Sequence, residues 1–474
     1  MDKQRGRVHF VGIGGSGMSG LAQIMVAKGF MVSGSDIKES DTTTRLQQIG
    51  AQVLIGHNAE NAHGAGRLVV STAIADDNPE LIQAKTEGIP VLHRSDILAW
   101  LMENQKGIAV AGAHGKTTTT AMIGLVLENC GLEPSIVVGG GLAQIQGNAK
   151  QGNGEYIVAE ADESDGSFLK LHPYFAVVTN IEDDHLDYYG CVENINLAFE
   201  KFIAMVPTEG CGILCVDDPQ VKALAAHCPG EIITYGRTEA AQYRLGEIRS
   251  DGLGSIGQVF DNGVLLGEMI LKVPGEHNQL NALAAVAVGR QLGLSFADIV
   301  LGLQNFHGAD RRFQLLGEAG GVKVVDDYAH HPTELKATLK ASKSTGEARV
   351  VALFQPHRYT RTKYLFQEFG RAFGDADVIA ITEIYGAGEQ PIPGVNAHLI
   401  IDAIKAHEGR EVQYLPTLEA ALNFLQAIVQ PGDLVLTLGA GNVWTVGEKL
   451  VHLLEGKERE ETGNELPAHQ GGAN

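Results

Sequence analysis

Short apolar runs alternate with segments of helical periodicity along most of the chain. The run RVHFVGI near the N-terminus is rich in branched residues, as strands are. After it, apolar residues recur every three or four positions, which is the period of a helix, before the next run, FMVSGSD. Further apolar runs, QVLIG, RLVVSTA and IPVLHR, are separated by polar stretches that can form helices. This alternation predicts a doubly wound α/β sheet.

The same alternation restarts twice further along the chain. A polar segment, WLMENQKG, precedes a strand predicted at 107–112 and a helix predicted at 116–129. After FHGADRRF, the apolar runs VKVVDDY, ARVVALFQ, DVIAITE and DLVLTLGAG again alternate with helical patterns. The pattern predicts three α/β domains: a Rossmann-like domain at 1–103, a central domain at 104–310, and a Rossmann-like domain at 311–474. From about residue 456 the chain lacks apolar periodicity, which predicts a disordered tail.

Composition narrows the classes of function. A length of 474 residues fits two to four domains, and no apolar run is long enough to span a membrane. The formal net charge of -21 argues against a nucleic-acid surface, which needs clustered Lys and Arg. The five cysteines show no paired CxxC spacing and do not favour a zinc site. We expect a cytoplasmic protein, either a monomer or a weak homodimer.

The first glycine cluster resembles a dinucleotide fingerprint. Gly12, Gly14 and Gly17 fit G-x-G-x-x-G between a predicted strand and a predicted helix, and Asp36 ends the next strand. Glycines there allow backbone amides and a helix N-terminus to approach a diphosphate. An NAD-like cofactor is the default ligand, but any nucleoside diphosphate satisfies the same geometry. A tight packing turn without a ligand is the alternative.

The second glycine cluster, AVAGAHGKTTTT, resembles a phosphate-binding loop that is one residue short. Val110 stands where the usual loop has its first glycine, and Gly112 is the nearest earlier one. The motif still supplies backbone amides, a lysine for the β and γ phosphates and a hydroxyl for Mg²⁺. We therefore predict a central domain of the P-loop ATPase type. The predicted ATP-binding residues of this loop are Gly112, Ala113, His114, Gly115, Lys116, Thr117 and Thr118.

Acidic residues follow two of the central strands. YIVAEADESD brings Glu160 to the carboxyl end of its strand, and FAVVTNIEDDHLD places His185 beyond the next strand. With Thr117 they form a predicted metal site for Mg²⁺, with Mn²⁺ as the alternative ion, because Mg²⁺ prefers oxygen ligands. The neighbouring acids are expected to form a solvated loop: Asp162, Glu163, Asp165, Asp183 and Asp184.

Several of these motifs, taken in order, resemble the Mur ligase family of ATP-dependent amide-forming enzymes. They are GAHGKTTTT, VAEADESDGSF, NIEDDHLDYY, GEHNQLNALAA and VDDYAHHPTE, and together they cover nearly the whole chain. The resemblance explains the shortened loop, because the family uses this compact form for ATP. GIGGSGMSG, LFQPHRYTRT and IYGAGEQPIPG are similar to the members that join L-alanine to UDP-N-acetylmuramate through an acyl phosphate. The resemblance implies that the first glycine cluster binds a UDP-sugar.

The resemblance also implies roles for individual residues. Lys116, Glu160, His185, Arg312 and Asp327 would be catalytic. Asn278 and Asn281 would serve the adenine and the central site, and Arg312 would close on the nucleotide from the third domain. The predicted substrate-binding residues are Gly12, Gly14, Gly15, Ser16, Gly17, Asp36, Ser71, Tyr328, His357, Arg358 and Arg361. Some sister ligases carry a carbamylated lysine near the metal, and Lys201 is the nearest lysine but is not assigned that role.

Three other functions fit parts of the pattern. A ligase that attaches a preformed tripeptide during murein recycling shares the ATP machinery. An NAD-dependent oxidoreductase explains the first glycine cluster but leaves the second without a purpose. A non-catalytic UDP-sugar sensor needs the first domain only.

Overall fold

Three β-sheets, each combined with helices, confirm the predicted α/β class. The computed structural model describes residues 6–183 and 185–462. By their contacts these residues divide into two compact units. The first unit contains the first two sheets and reaches Asp310; the second begins at Arg311 and also includes residues 250–255 and 273–276.

The first sheet has five parallel strands in the order β3-β2-β1-β4-β5. Because the chain runs outwards in both directions from β1, the loop after β1 lies at the point where open α/β sheets bind ligands. Phe10 of β1 and Ile24 and Met25 of α1 are fully buried in the same apolar cluster. The elements are β1 (Arg7–Val11), α1 (Ser16–Ala27), β2 (Val32–Asp36), α2 (Asp41–Gln48), β3 (Gln52–Ile55), α3 (Ala59–Ala62), β4 (Ala65–Val70), α4 (Pro79–Glu87), β5 (Val91–His93) and α5 (Arg94–Glu103).

The second sheet has ten strands in the order β15-β14-β13-β12-β11-β10-β6-β9-β7-β8. Within it, β6 pairs in parallel with β9 on one side and β10 on the other. The segments that follow these three strands therefore meet at one edge of the sheet. The elements are β6 (Lys106–Ala111), α6 (Lys116–Asn129), β7 (Ser135–Leu142), β8 (Gly147–Lys150), β9 (Tyr156–Glu160), β10 (Pro173–Val178), α7 (Leu186–Tyr189), α8 (Val192–Ile203), β11 (Cys211–Cys215), α9 (Pro219–Ala223), β12 (Glu231–Gly236), β13 (Tyr243–Asp251), β14 (Gly254–Asp261), β15 (Val264–Leu271), α10 (Glu276–Gln291) and α11 (Phe296–Gln304).

The third sheet has six strands in the order β16-β17-β21-β18-β19-β20, and β16 is an antiparallel edge strand. Separate apolar clusters pack around its strands. The elements are β16 (Gln314–Ala319), β17 (Val322–Asp327), α12 (Pro332–Lys343), β18 (Arg349–Phe354), α13 (Tyr359–Phe369), β19 (Val378–Ile381), α14 (His398–Glu408), β20 (Gln413–Tyr414), α15 (Leu418–Ile428), β21 (Asp433–Leu438) and α16 (Trp444–Thr462).

The first residues of the tail predicted from about residue 456 are helical. Helix α16 continues to Thr462, because Lys, Glu and Arg in GKEREET favour a helix even without apolar periodicity. The rest of the predicted tail lies outside the described residues.

Candidate active site

The second glycine cluster forms the turn from β6 into α6. Gly112 and Gly115 adopt φ angles of 139° and 83°, which favour glycine. A Cβ atom on Gly115 would lie 2.5 Å from Oδ1 of Asn281, so the turn also needs glycine for space. Helix α6 begins at Lys116, and the amides of a first helical turn have no acceptor within the helix. This geometry suits a phosphate group.

Two amides of the loop are bonded to the segment that follows β10. The Ala113 amide donates to the Asn180 carbonyl at 3.1 Å, and the His114 amide donates to Oδ1 of Asn180 at 2.8 Å. The Thr179 hydroxyl donates to the His114 carbonyl at 2.7 Å. These bonds hold the shape of the loop, and the nucleotide contacts of Ala113 and His114 stay a prediction.

Lys116 is partly buried, and its side chain turns back into the loop. Its Nζ donates to the carbonyls of Gly112 (2.6 Å) and Ala113 (3.2 Å) and to Oε1 of Glu163 (2.8 Å). Burial alone would lower the pKa of Lys116, but the carboxylates of Glu163 and Asp162 outweigh it and raise the pKa. The expectation that Glu163 is solvated was therefore wrong, because this side chain is only 3% exposed and neutralises the lysine.

The candidate metal ligands lie at the same edge of the central sheet. Glu160 ends β9, and its Oε1 accepts a hydrogen bond from the Gly139 amide. Thr117 lies in the first turn of α6, and its methyl group would be 3.5 Å from a Cβ atom on Gly140. A hydroxyl and a carboxylate supply the oxygen ligands that Mg²⁺ prefers.

His185 lies just before α7 with a φ of 58°, which is unusual outside glycine. Its Nε2 is 3.8 Å from Oε1 of Glu163. The other carboxylate oxygen, Oε2 of Glu163, is buried and has no hydrogen-bond partner among the described residues. A buried carboxylate oxygen that has no partner and a nearby imidazole are a suitable pair of ligands for a cation. Asp183 is exposed as predicted, and Asp184 lies outside the described residues.

Asn281 packs against the nucleotide loop from helix α10. Its Oδ1 accepts a hydrogen bond from the Thr119 hydroxyl at 3.2 Å, and its Nδ2 is 3.5 Å from Oδ1 of Asn278. Both asparagines are buried, with exposures of 9% and 6%. A solvent-facing Asn281, which spacing alone had left open, is thereby excluded. The adenine contact stays a prediction.

The first glycine cluster forms the turn from β1 into α1. The amide of Gly14 donates to Oδ2 of Asp36 at 2.9 Å, and the amide of Gly12 donates to the Ser35 carbonyl at 2.8 Å. Asp36 therefore fixes this turn directly. Gly15 directly precedes α1 and provides no side-chain cap, so Ser16 and Gly17 form the uncapped first turn of the helix. Ser71 follows β4, the neighbour of β1 in the sheet.

Arg94 links this turn to the central domain, and spacing did not reveal it. Its Nη2 donates to Oδ2 of Asp162 at 2.6 Å, and its Nη1 would be 3.3 Å from a Cβ atom on Gly17. Burial would raise the pKa of Asp162, but the charges of Lys116 and Arg94 lower it to about 2. Asp162 differs from Glu163 in that 33% of its side chain stays exposed, although it is paired with Arg94. The sequence carries no signal for Arg94 beyond its position at the start of a helix.

In the second unit, Asp327 ends β17 as a buried carboxylate. Its oxygens accept hydrogen bonds from the amides of Phe313 (2.7 Å) and Ala329 (2.8 Å). Burial raises the pKa of Asp327 to about 6, although the Arg312 charge opposes the rise. The Arg312 guanidinium lies 5.1 Å from the Tyr328 ring and 3.8 Å from Oε1 of Glu334.

The remaining predicted residues of this unit form one aromatic and basic cluster. Nη1 of Arg361 lies 3.2 Å from Nδ1 of His357, whose ring stacks on Tyr385. The spacing of the sequence did not reveal His330. Its ring centroid lies 5.3 Å from that of Tyr328 and 5.7 Å from that of His357. Burial, together with His330 and the nearby arginines, lowers the pKa of His357 to about 3. Imidazole is therefore neutral here at pH 7.

Arg358 directly precedes helix α13 and has a φ of 68°, and its amide donates to the Tyr385 carbonyl at 2.9 Å. Its buried Nε has no hydrogen-bond partner among the described residues. This donor can serve a carboxylate, and the role of Arg358 in binding the substrate stays a prediction. Lys201 lies exposed in the last turn of α8. Among the described residues, no helix combines the length and the apolar character that crossing a membrane requires.

Comparisons with known proteins cover nearly the whole chain. The Mur ligase catalytic, middle and glutamate ligase domains match residues 7–106, 110–289 and 311–441. A UDP-N-acetylmuramate--L-alanine ligase of Pelotomaculum thermopropionicum is 54% identical over 98% of this chain and 100% of its own length. The UDP-N-acetylmuramate--L-alanine ligase of Desulforamulus reducens is 52% identical over 95% of this chain and 98% of its own length.

The crystal structure of a UDP-N-acetylmuramate-alanine ligase from Thermotoga maritima superimposes with a TM-score of 0.81 at 31% identity, covering 95% of this chain and 99% of that one. The likeness thus extends from sequence to fold over all three domains. The chain belongs to the Mur ligase family.

Proposed function

We propose that the protein joins L-alanine to the carboxylate of UDP-N-acetylmuramate, with ATP as the source of energy. The observation that carries this proposal is the 54% identity, over essentially full length, to a ligase named for these two substrates. The two glycine turns support it, because each presents a helix N-terminus suited to a phosphate-bearing ligand. UDP-N-acetylmuramate is assigned to the first turn and ATP to the second.

In the first step, a carboxylate oxygen of the sugar attacks the γ-phosphorus of ATP, the bond to the β-phosphate oxygen breaks, and ADP leaves. The product is an acyl phosphate. Lys116 and the amides of the first turn of α6 hold the phosphates in line with the attacking oxygen. Loose phosphoryl transition states depend mainly on such alignment and on charge neutralisation.

Thr117, Glu160 and His185 are the residues that would hold Mg²⁺. When bound, the ion neutralises charge that develops on the phosphate oxygens. Mg²⁺ itself is part of the proposal, supported by the oxygen donors and by the unpartnered Oε2 of Glu163.

In the second step, the amine of L-alanine attacks the carbonyl carbon, an amide bond forms, and phosphate leaves with the oxygen that came from the carboxylate. Arg358 and Arg361 are proposed to hold the alanine carboxylate, which suits their planar donor groups. Neutral His357 is proposed to accept a hydrogen bond from the substrate.

The test is the release of inorganic phosphate in the presence of Mg²⁺, ATP and UDP-N-acetylmuramate. L-alanine, glycine, L-serine and the tripeptide of murein recycling are supplied in turn. The proposal expects turnover that needs all three substrates and is fastest with L-alanine. Preference for the tripeptide would favour the recycling ligase, and absence of turnover with every amine would favour a UDP-sugar sensor.

Binding of NADH, measured by its fluorescence, would revive the oxidoreductase. The comparisons do not favour that reading or the recycling ligase. We also propose that the reaction takes place in the cytoplasm, where ATP is supplied.

A further inference from the structure

Glu163 is placed to compete with a nucleotide. Nζ of Lys116 has three hydrogens, and three acceptors take them: the carbonyls of Gly112 and Ala113, and Oε1 of Glu163. The lysine therefore has no hydrogen left for a phosphate oxygen. Of the three acceptors only the Glu163 carboxylate is negatively charged. It therefore occupies the position beside the Lys116 ammonium group that an anionic phosphate would take.

The contacts of Glu163 confine movement to its side chain. Its carbonyl accepts hydrogen bonds from the Tyr189 hydroxyl at 2.6 Å and from the Gly166 amide at 3.0 Å. These two bonds anchor the backbone at this carbonyl group. Rotation of the side chain releases Lys116 without unfolding the loop.

Release of Lys116 leaves a buried charge. Glu163 is 3% exposed, and a buried carboxylate that loses its partner is strongly destabilised unless another cation replaces it. Two features point to a cation. Oε2 of Glu163 is unpartnered among the described residues, and Nε2 of His185 lies 3.8 Å from Oε1.

We propose that Glu163 is an internal counter-anion of Lys116 that the phosphates of the nucleotide displace, and that the released carboxylate, with His185, binds a divalent cation that enters with the nucleotide. This inference rests on the proposed function, because it requires an adenine nucleotide in the loop. It adds that the cation dependence of nucleotide binding is set in part by a residue outside the nucleotide loop.

The experiment is calorimetric titration with a non-hydrolysable ATP analogue, in Mg²⁺ and separately in a chelator. In the chelator, Glu163→Gln should bind the analogue roughly tenfold more tightly than the unchanged protein, because the competing charge is gone. The gain in affinity on adding Mg²⁺ should be smaller in Glu163→Gln by a similar factor. Glu163→Ala should show the same two changes, and circular dichroism establishes that each variant is folded.

Asp165→Asn is the matched control. It makes the same change of a carboxylate to an amide two residues along the chain, beside His93 at 3.7 Å. Both of its affinities should stay within about twofold of the unchanged protein. Equal or weaker binding by Glu163→Gln in the chelator would overturn the displacement. An unchanged gain from Mg²⁺ would overturn the cation site. If the unchanged protein failed to bind the analogue even in Mg²⁺, the proposed function itself would fall.

Discussion

Charged side chains at this site are paired with specific partners of opposite charge. Lys116 pairs with Glu163, and Arg94 pairs with Asp162, within one short acidic segment. A buried charge is tolerated only when it is paired or hydrogen-bonded. The same segment therefore bonds directly to the lysine of the turn assigned to ATP and, through Arg94, reaches the turn assigned to the UDP-sugar.

Replacement of Lys116 by alanine tests its role in phosphoryl transfer. Loss of this charge should add roughly 3 kcal/mol or more to the barrier, on the order of a hundredfold in kcat. Steady-state phosphate release measures the change. Lys106→Ala is the control. Lys106 lies at the start of β6, the strand that leads into the nucleotide loop, and pairs with exposed Glu155. Near-normal turnover in Lys116→Ala would show that this loop is not the ATP site.

Glu80 is a second fully buried carboxylate, behind the first glycine turn. It accepts hydrogen bonds from Asn61 (2.8 Å) and from the hydroxyl of Ser35 (2.7 Å), and it lies 3.1 Å from Nε2 of His9. Burial alone would raise its pKa, but these bonds lower it from 4.5 to about 2. Because the Ser35 carbonyl accepts from the Gly12 amide, Glu80 supports the turn indirectly.

A carboxylate whose pKa is lowered on folding stabilises the fold above its unfolded pKa of 4.5, and this contribution is lost as pH falls towards 2. Glu80→Gln should therefore lower the free energy of unfolding by roughly 3 kcal/mol at pH 7 and by less at pH 3. Urea unfolding followed by Trp100 fluorescence in a Trp444→Phe background measures it. Glu87→Gln, on the same helix but exposed, should change little. A difference that did not shrink in acid would contradict the assignment.

At the level of elements, the two ends of α6 show what the nucleotide turn requires. Gly115 before the helix and Gly131 after it both have positive φ, of 83° and 75°. Only at Gly115 would a Cβ atom meet a neighbour, Oδ1 of Asn281, while at Gly131 it would meet nothing within 4 Å. Substitutions at these two positions therefore distinguish the cost of backbone strain, which both share, from a clash that changes the shape of the loop, which occurs only at Gly115.

Gly115→Ala and Gly131→Ala should each lose about 1 kcal/mol of stability from the strained φ. Only Gly115→Ala should also weaken nucleotide binding, by at least about tenfold, because the clash displaces the loop. Thermal unfolding and calorimetric titration with ADP measure the two effects. Equal nucleotide affinity in both variants would show that the shape of this turn is not needed.

Local elements were predictable because their signals are local. The strand predicted at 107–112 is β6 at Lys106–Ala111, and the helix predicted at 116–129 is α6. The pairs that complete the site were not predictable. Glu163 lies 47 positions from Lys116, and Asp162 lies 68 positions from Arg94, so no spacing rule joins them. Such pairs depend on which strand ends become neighbours in the sheet.

For the whole molecule, the predicted catalytic residues are divided between two compact units. The nucleotide loop lies in the first unit, while Arg312 and Asp327 lie in the second. The α/β class and the Mur ligase resemblance were both confirmed. Closure of the third domain on bound ligands stays a prediction, as does the oligomeric state.

Closure can be measured by small-angle X-ray scattering. We expect the radius of gyration to fall when UDP-N-acetylmuramate and a non-hydrolysable ATP analogue are both bound, because the reaction must exclude water from an acyl phosphate. Either ligand alone is the control and should produce a smaller change. Identical scattering curves with and without both ligands would argue against closure.

The central claim is that the sugar carboxylate is activated by taking the γ-phosphoryl group of ATP. Its most direct test uses UDP-N-acetylmuramate with ¹⁸O in both carboxylate oxygens, together with ATP, Mg²⁺ and L-alanine. Mass spectrometry of the released phosphate should find one ¹⁸O atom in each phosphate ion, transferred from the carboxylate through the acyl phosphate. Phosphate that carries no ¹⁸O, released while the amide forms, would contradict the mechanism.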